Sequence, residues 1–461
     1  MKANILSELE PLGHSIPDLE ILTDQSSAKF RTFAERWSDI DRKTPAAILL
    51  PTTEEQIQKV VQWASETTVP FVAKSGGHST WSTIDETGVI VDLSNYSGIE
   101  VDVEAHTATL KGSIVAKQVA VALAEHGLFT ALGNGNPVGA IPYFLGGGAS
   151  VVTSITGYGS DQILSARMID ANGTLVEVTE TKEPDLLYAL RGAGQFFGVE
   201  TELTVKTYPF AKLGNEEGLI WTGIFMFPVH RADEVCSSMQ VLMDDSSQAT
   251  AGLLMLMAPP PARNPMIAVA ARYTGNPDDA QNAYKALYDL KPVFAKGAAI
   301  PLHCVADGRD AFNAHGGFKD FGVVGLPRFD KAAFLEVVEV WKDLITNCPD
   351  AIDTSFNFQW DSRLAKAPGF ESANSLHDIR FWLNNFIWYR DPTSRERVDA
   401  ANKKSIEIMR GPDETEYVDF VNGTRSGPIE LRFRNEHRLA KLRALKKKWD
   451  PRGVFTRELI D

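Results

Sequence analysis

The run Lys74-Ser75-Gly76-Gly77-His78-Ser79 combines an anion cradle with a reactive ring. Two adjacent glycines let the backbone turn sharply and present N–H groups to an anion such as a pyrophosphate. His78 follows them directly, and an imidazole at such a rim serves as a base, a metal ligand or a covalent attachment point for a cofactor. Taken alone, Phe71 to Ser79 also describes a tight turn with a surface histidine. A second passage, ALGNGNPVGAIPYFLGGGASVVTSITGYGSD, holds eight glycines between Gly133 and Gly159. Backbone so poor in side chains packs badly by itself and suits close wrapping around something flat and polar, a hinge being the alternative.

The elements around these loops follow from periodicity. Ala46 to Leu50 reads as a buried strand, and Thr53-Glu-Glu-Gln56 is a capping box. Ile57, Val60, Val61 and Ala64 then follow at helical spacing. Phe71 to Lys74 is the next strand, so the first glycine turn lies at the carboxyl end of a βαβ unit, where such units bind ligands. Gly88 to Leu93 completes a first lobe. A second begins near Thr107 with a strand to Leu110 and a helix from Ile114 to His126, stopped by Gly127. It ends with a hairpin from Ala166 to Thr179 turned at Asn172-Gly173, a helix opened by Pro184, and an alternating strand from Val199 to Thr207.

From about Phe210 glycine thins out. Strands are expected at Leu219 to Phe227, Thr250 to Met257, Met266 to Tyr273, Thr354 to Trp360 and Ile379 to Tyr389. Helices between them predict an antiparallel sheet covered on one face. The tail from Tyr417 is too short for a core of its own and must dock on an earlier lobe. The expected organisation is α+β: a two-lobed domain over 1–208 (lobes about 45–105 and 106–208), a second domain over 209–414, and a C-terminal segment, 415–461, returning to the first.

Composition sets limits. A formal charge of -14 argues against nucleic acid or an anionic membrane as partner, since both need clustered Lys and Arg. The basic run Arg443 to Lys448 is expected on the solvated face of a helix. Cys236, Cys304 and Cys348 lie too far apart for a disulfide framework or a compact metal site, so buried thiols and no metal are expected. No run of eighteen apolar residues occurs and the N-terminus lacks a secretory pattern, which predicts a cytoplasmic protein.

Four motifs in order carry a resemblance: K-S-G-G-H-S at Lys74 to Ser79, L-G-G-G at Leu145 to Gly148, R-G-A-G-Q-F-F-G-V at Arg191 to Val199, and Tyr417 to Phe420 followed by K-W-D-P-R-G-V-F at Lys448 to Phe455. Together they resemble the vanillyl-alcohol oxidase (PCMH-type FAD-binding) superfamily, in its berberine-bridge-enzyme-like branch. The resemblance covers 45–208 and the tail from 417, a little under half of the chain. It implies FAD between the two lobes, held by Lys74, Ser75, Gly76, Gly77, His78 and Ser79, by Val138 and Gly139, by Gly146, Gly147, Gly148 and Ala149, and by Gly198 and Val199. It also implies a bond from His78 to the flavin 8α-methyl.

Departures matter too. Gly133-Asn-Gly-Asn-Pro-Val-Gly139 lacks the cysteine that makes a second covalent link in relatives, so attachment through His78 only is expected. Tyr417-Val-Asp419-Phe420 and Phe196 replace the usual Y-x-N-Y and Asn, which leaves the hydrogen bonds near the flavin ring open. Val138 occupies a position where a modest side chain goes with oxygen reactivity in relatives.

The expected function is an O2-using FAD oxidase of a small secondary metabolite, oxidising an alcohol or amine or closing a ring. A redox-neutral isomerisation or cycloaddition is the alternative, and a flavin-free binding protein the alternative of another class. Tyr417, with Asp419 beside it, and Tyr158 are the candidate bases, Tyr389 a further one. Period two places Phe356, Phe358 and Trp360 under the helices and Ser355, Asn357 and Gln359 toward the flavin, the reverse assignment of either strand's faces being the alternative. It groups Arg380, Trp382, Asn384, Phe386 and Trp388 on one face, a mixture that suits a planar, polar-edged substrate. Asn357, Gln359, Trp382 and Asn384 are the substrate candidates.

Overall fold

A computed structural model describes residues 2–411 and 429–455. Three sheets organise it. The first orders Glu20–Leu22, Ala47–Leu50, Val89–Asp92 and Phe71–Lys74. Its last three strands run parallel, as the helix Glu54–Thr67 between them requires. Thr53 caps that helix by accepting from the Gln56 N–H, and Ile57, Val60, Val61 and Ala64 are buried against the sheet.

The second sheet is antiparallel and orders Ser97–Asp102, Thr107–Gly112, Val199–Lys206, Ile163–Ile169 and Leu175–Val178. Ser97–Asp102 pairs with Thr107–Gly112, so the lobe boundary expected at 105/106 falls inside a hairpin. The change of lobe comes before Ser97. Helix Pro184–Ala193 is interrupted at Arg191 and Gly192. Gly192 adopts φ +125°, and a Cβ there would stand 2.6 Å from the Asn374 nitrogen. That close approach explains the glycine in R-G-A-G.

The third sheet has seven antiparallel strands, ordered Phe294–Pro301, Leu219–Pro228, Met266–Tyr273, Thr250–Met257, Asn357–Asp361, Phe381–Tyr389 and Phe318–Leu326. Helices Ala232–Asp244, Lys331–Asn347 and Arg395–Arg410 cover one face, with Phe334, Val337, Val338, Trp341, Leu344 and Ile345 inside the core. The two outermost strands carry no alternating signal. Phe294–Pro301 is an exposed edge rich in alanine. Phe318–Leu326 carries Gly322 at its centre, where a Cβ would meet Asn402 Oδ1 at 2.1 Å.

The helix Glu436–Trp449 buries Leu439, Leu442 and Leu445 in the core of the second lobe. Its basic run is not wholly solvated. Lys446 is 0% exposed, pairs with Asp450 at 2.6 Å and donates to the Phe196 carbonyl. Asp450 in turn accepts the Val454 and Phe455 N–H groups, so D-P-R-G-V-F is a carboxylate-centred turn that aims Phe455 inward. Cys236 and Cys348 are buried, whereas Cys304 is half-exposed. Among the described residues no helix is long and apolar enough to cross a membrane.

Candidate active site

Both glycine passages and the uncovered face of the third sheet enclose a cavity of about 900 Å3. The two loops meet backbone to backbone. A Cβ on Gly76 would lie 2.3 Å from the Pro137 carbonyl oxygen, and one on Gly139 would lie 2.3 Å from Ser75 Oγ. Glycine at these two positions is therefore a packing requirement between lobes, beyond any need for turning. Of the expected cofactor residues, all but Gly147 line the cavity. Gly147 instead holds its own loop, accepting the Ser160 N–H at φ +115°. Lys74 contributes backbone: its ammonium is turned away onto buried Asp92 at 3.2 Å and the Phe33 carbonyl at 2.5 Å.

His78 stands where the loops meet the sheet. Trp37 stacks on it at 6.0 Å and His315 approaches edge-on at 5.7 Å. His315 is itself tied to the Gly76 carbonyl at 3.1 Å. Burial, and then the nearby charges of His315 and Lys319, hold the His78 pKa down to about 3. Its ring is neutral at any ordinary pH, and Nε2 is buried without a hydrogen-bond partner. A neutral imidazole with one ring nitrogen left unsatisfied in a cavity is compatible with a covalent attachment point.

These features test the fit of FAD on this chain's own residues. The loops leave room for no side chain between lobes, the imidazole is neutral and unpartnered, and Asn134 Oδ1, Gln195 Oε1 and Glu200 Oε1 are further unsatisfied polar atoms of cavity-lining residues. The residues fit. The FAD binding domain family matches residues 45–179, the span that holds both glycine passages. An FAD-linked oxidoreductase of Aspergillus fumigatus, hasG, is 28% identical, with 91% of this chain and 92% of that protein covered.

The chain carries an FAD binding domain and is similar along nearly its whole length to FAD-linked oxidoreductases.

The fold of this oxidoreductase is shared with BBE-like 1 of Physcomitrella patens, at 19% identity, TM-score 0.83 and 97% of both chains covered. It is shared likewise with glucooligosaccharide oxidase of Acremonium strictum, a protein described with 6-S-cysteinyl, 8α-N1-histidyl FAD, at 21% identity, TM-score 0.81 and 98% of both chains covered.

On the sheet side, Ser355, Asn357 and Gln359 line the cavity while Phe356, Phe358 and Trp360 are buried under the helices. Trp382, Asn384, Phe386 and Trp388 also line it. Arg380 does not: it precedes the paired strand, and its guanidinium donates to the Met243 carbonyl at 2.7 Å. The amides interlock. Asn357 Nδ2 donates to the Asn384 carbonyl at 2.9 Å, and Asn384 Nδ2 donates to Gln359 Oε1 at 3.0 Å. Asn384 Oδ1 is left buried and unpartnered, an acceptor facing the cavity wall.

The expected bases fare differently. Tyr417 and Asp419 lie outside the described residues. Tyr158 is removed from the cavity: it is 1% exposed, and its hydroxyl donates to the Leu376 carbonyl at 2.9 Å, with that of Ile379 also in reach. Burial pushes its pKa far up, so it serves as a structural pin and not as a base. Tyr389 is buried in the core beneath the sheet, stacked on Phe318 at 5.2 Å.

Several cavity residues had no signal in the sequence. Among the described residues the lining carboxyls are Glu200 and Asp353. Glu200 is buried in the cavity wall, and burial pushes its pKa up to about 8. The alternation of its strand puts Val199, Thr201, Leu203 and Val205 on one face and carries no signal for Glu200. Arg263, Arg272, Arg309 and Arg390 also line the cavity and come from three separate loops and one strand. No motif joins them.

Proposed function

We propose that this oxidoreductase is an oxidase of a small, planar secondary metabolite, with FAD attached through His78 alone. The observation that carries the reading is the neutral, unpartnered His78 at the junction of a side-chain-free cradle and a sheet face lined by aromatic and amide groups. FAD, when bound, supplies a two-electron acceptor that takes a hydride from a carbon bearing OH or NH and passes the electrons to O2 as H2O2.

The chain's own part is positional. Backbone of Ser75 to Ser79 and of Gly146 to Ala149 holds the phosphates and the ring edge. Gly133 to Gly139 contains no cysteine, so the single-histidine link differs from the two-point attachment named for the Acremonium enzyme. Trp382, Phe386 and Trp388 sandwich a flat substrate, and Asn384 Oδ1 accepts from its hydroxyl or amine. The modest side chain of Val138 leaves the cofactor side of the cavity open to O2. Among the described residues the middle of the sheet face offers amides and no free carboxylate. That favours a donor that gives up its proton easily, such as a neutral amine, or proton removal by Tyr417. The same feature supports a redox-neutral ring closure as the second reading.

Purified protein is expected to be yellow and to keep its flavin through acid precipitation. His78→Ala should release flavin in acid while still binding it at neutral pH. Anaerobic addition of alcohols, amines and phenols should bleach the flavin with the true donor, and oxygen should restore it with one H2O2 per turnover. Flavin fully released by acid from the wild type removes the covalent link; turnover without oxygen consumption selects the redox-neutral reading.

A further inference from the structure

Four arginines line the cavity, and they divide into two pairs. Arg263 and Arg390 both reach Asp353, the first at 2.6 Å, so that carboxylate neutralises them at the rim. Among the described residues Arg272 and Arg309 have no such partner. Arg272 is 7% exposed and its Nε is buried without a hydrogen bond. Arg309, half-buried on the loop that docks onto the second lobe through Asp307 and Lys117, faces no counter-charge. Both line the same cavity, and burial first, then the charge of Arg309, hold the Arg272 pKa down. Asp361 shares the sheet face with Arg272 through Ala251, and its charge acts on Arg272. It makes no ion pair with either arginine, and burial pushes its own pKa up. A buried cation beside a half-buried one, with no carboxylate paired to either among the described residues, is costly, and a bound anion relieves that cost.

Strand register fixes where such an anion would sit. Opposed residues Ala270, Leu253, Gln359 and Trp382 form one row across the cavity face. Arg272 lies two residues beyond Ala270 on the same strand, one step of roughly 7 Å along that face. The guanidinium therefore ends a platform of one aliphatic, one amide and one indole side chain. The arginines come from the sheet and the loop Leu302–Gly317, whereas the glycine cradle comes from the lobes.

We propose that Arg272 and Arg309 form an anion subsite that engages a carboxylate of the substrate, so that the enzyme acts on an organic acid with a flat, apolar body. The proposal rests on the reading that the sheet side of the cavity receives the substrate. A planar carboxylate offers two oxygens to guanidinium forks, a geometry a neutral amide cannot match.

The test titrates flavin-loaded protein with benzoate, phenylacetate and cinnamate and with their amides, following the flavin absorbance. The wild type is expected to bind at least one acid roughly 10- to 100-fold more tightly than its amide. Arg272→Met and Arg309→Met should each erase most of that preference while amide binding stays within about twofold, and Arg272→Lys should restore part of it. If one Met variant does not fold, the other and the salt dependence of acid binding to the wild type carry the test. Equal binding of acid and amide by the wild type overturns the proposal. So does a preference that survives both substitutions, or folded variants that no longer load flavin, which would assign the pair to the cofactor's phosphates. In each of these cases flavin retained in acid and oxygen uptake with a neutral donor would leave the oxidase reading standing.

Discussion

The two walls of the cavity are built on opposite principles. The cradle wall is backbone: its side chains are absent at Gly76, Gly77, Gly139 and Gly148, or turned away, as Lys74 is onto Asp92. The sheet wall is side chain: every second residue of Asn357–Asp361 and Phe381–Tyr389 faces the cavity, and the residues between fill the core. Backbone contacts grip whatever carries phosphates and a flat ring, with little regard to chemical detail. Side-chain contacts discriminate. A fold divided in this way can keep one cofactor while changing substrates, because the selective wall can be altered without disturbing the grip.

Substitution at the cradle should do the most damage. In Gly76→Ala the new methyl would stand 2.3 Å from the Pro137 carbonyl oxygen and 2.8 Å from the Gly139 nitrogen. Both are backbone atoms of the other lobe and neither can rotate aside. The lobes must separate, so flavin loading should be abolished and the melting temperature lowered by several degrees, as overpacking costs about 1–3 kcal/mol. Normal loading in Gly76→Ala would show that the lobes do not meet as described.

Legibility in the sequence follows the same division. The cradle was readable because close backbone approach leaves a local, contiguous record: paired glycines, then a histidine, at the end of a strand. The inward residues Asn357, Gln359, Trp382 and Asn384 were readable because strands alternate. What escaped has no local record. Phe294–Pro301 is an edge strand with no buried face, so nothing imposes alternation on it. Arg272 and Arg309 are 37 residues apart in number and share a cavity only through the fold. Tyr158 looked reactive from its place beside a glycine loop, but tertiary contacts with Leu376 and Ile379 consume its hydroxyl. Burial of Lys446 depends on where a helix docks, and a run of basic residues gives no hint of it.

Glu200 sharpens the comparison, being a side chain that intrudes on the backbone wall. Burial raises its pKa from the ordinary 4.5 to about 8. Between those values the folded protein keeps a proton that the unfolded chain has released, so this carboxyl costs stability progressively as pH rises from about 4.5 to 8. The cost at pH 8 is about 5 kcal/mol at most. In flavin-free protein the melting temperature of Glu200→Gln relative to wild type should therefore rise between pH 5 and pH 8, with the two nearly equal at the acid end. A difference independent of pH would mean that Glu200 is ionised in the folded state.

The smallest effect is expected on the selective wall. Asn384 gives its amide N–H to Gln359 and keeps Oδ1 free. Asn384→Leu is close in volume and removes the acceptor without opening a hole. Core packing lies on the other side of the strand, with Leu383 and Ile387 under the helices. Flavin content and melting temperature should thus stay near wild type, while kcat/KM for the best donor falls about tenfold, the worth of one hydrogen bond of roughly 1–1.5 kcal/mol. If that loss appears in kcat with KM unchanged, Asn384 holds the donor where it reacts; if it appears in KM alone, the side chain only binds. A variant that instead sheds flavin would show that the two walls are not separable, and the division of labour between grip and discrimination would fail at its most tolerant point.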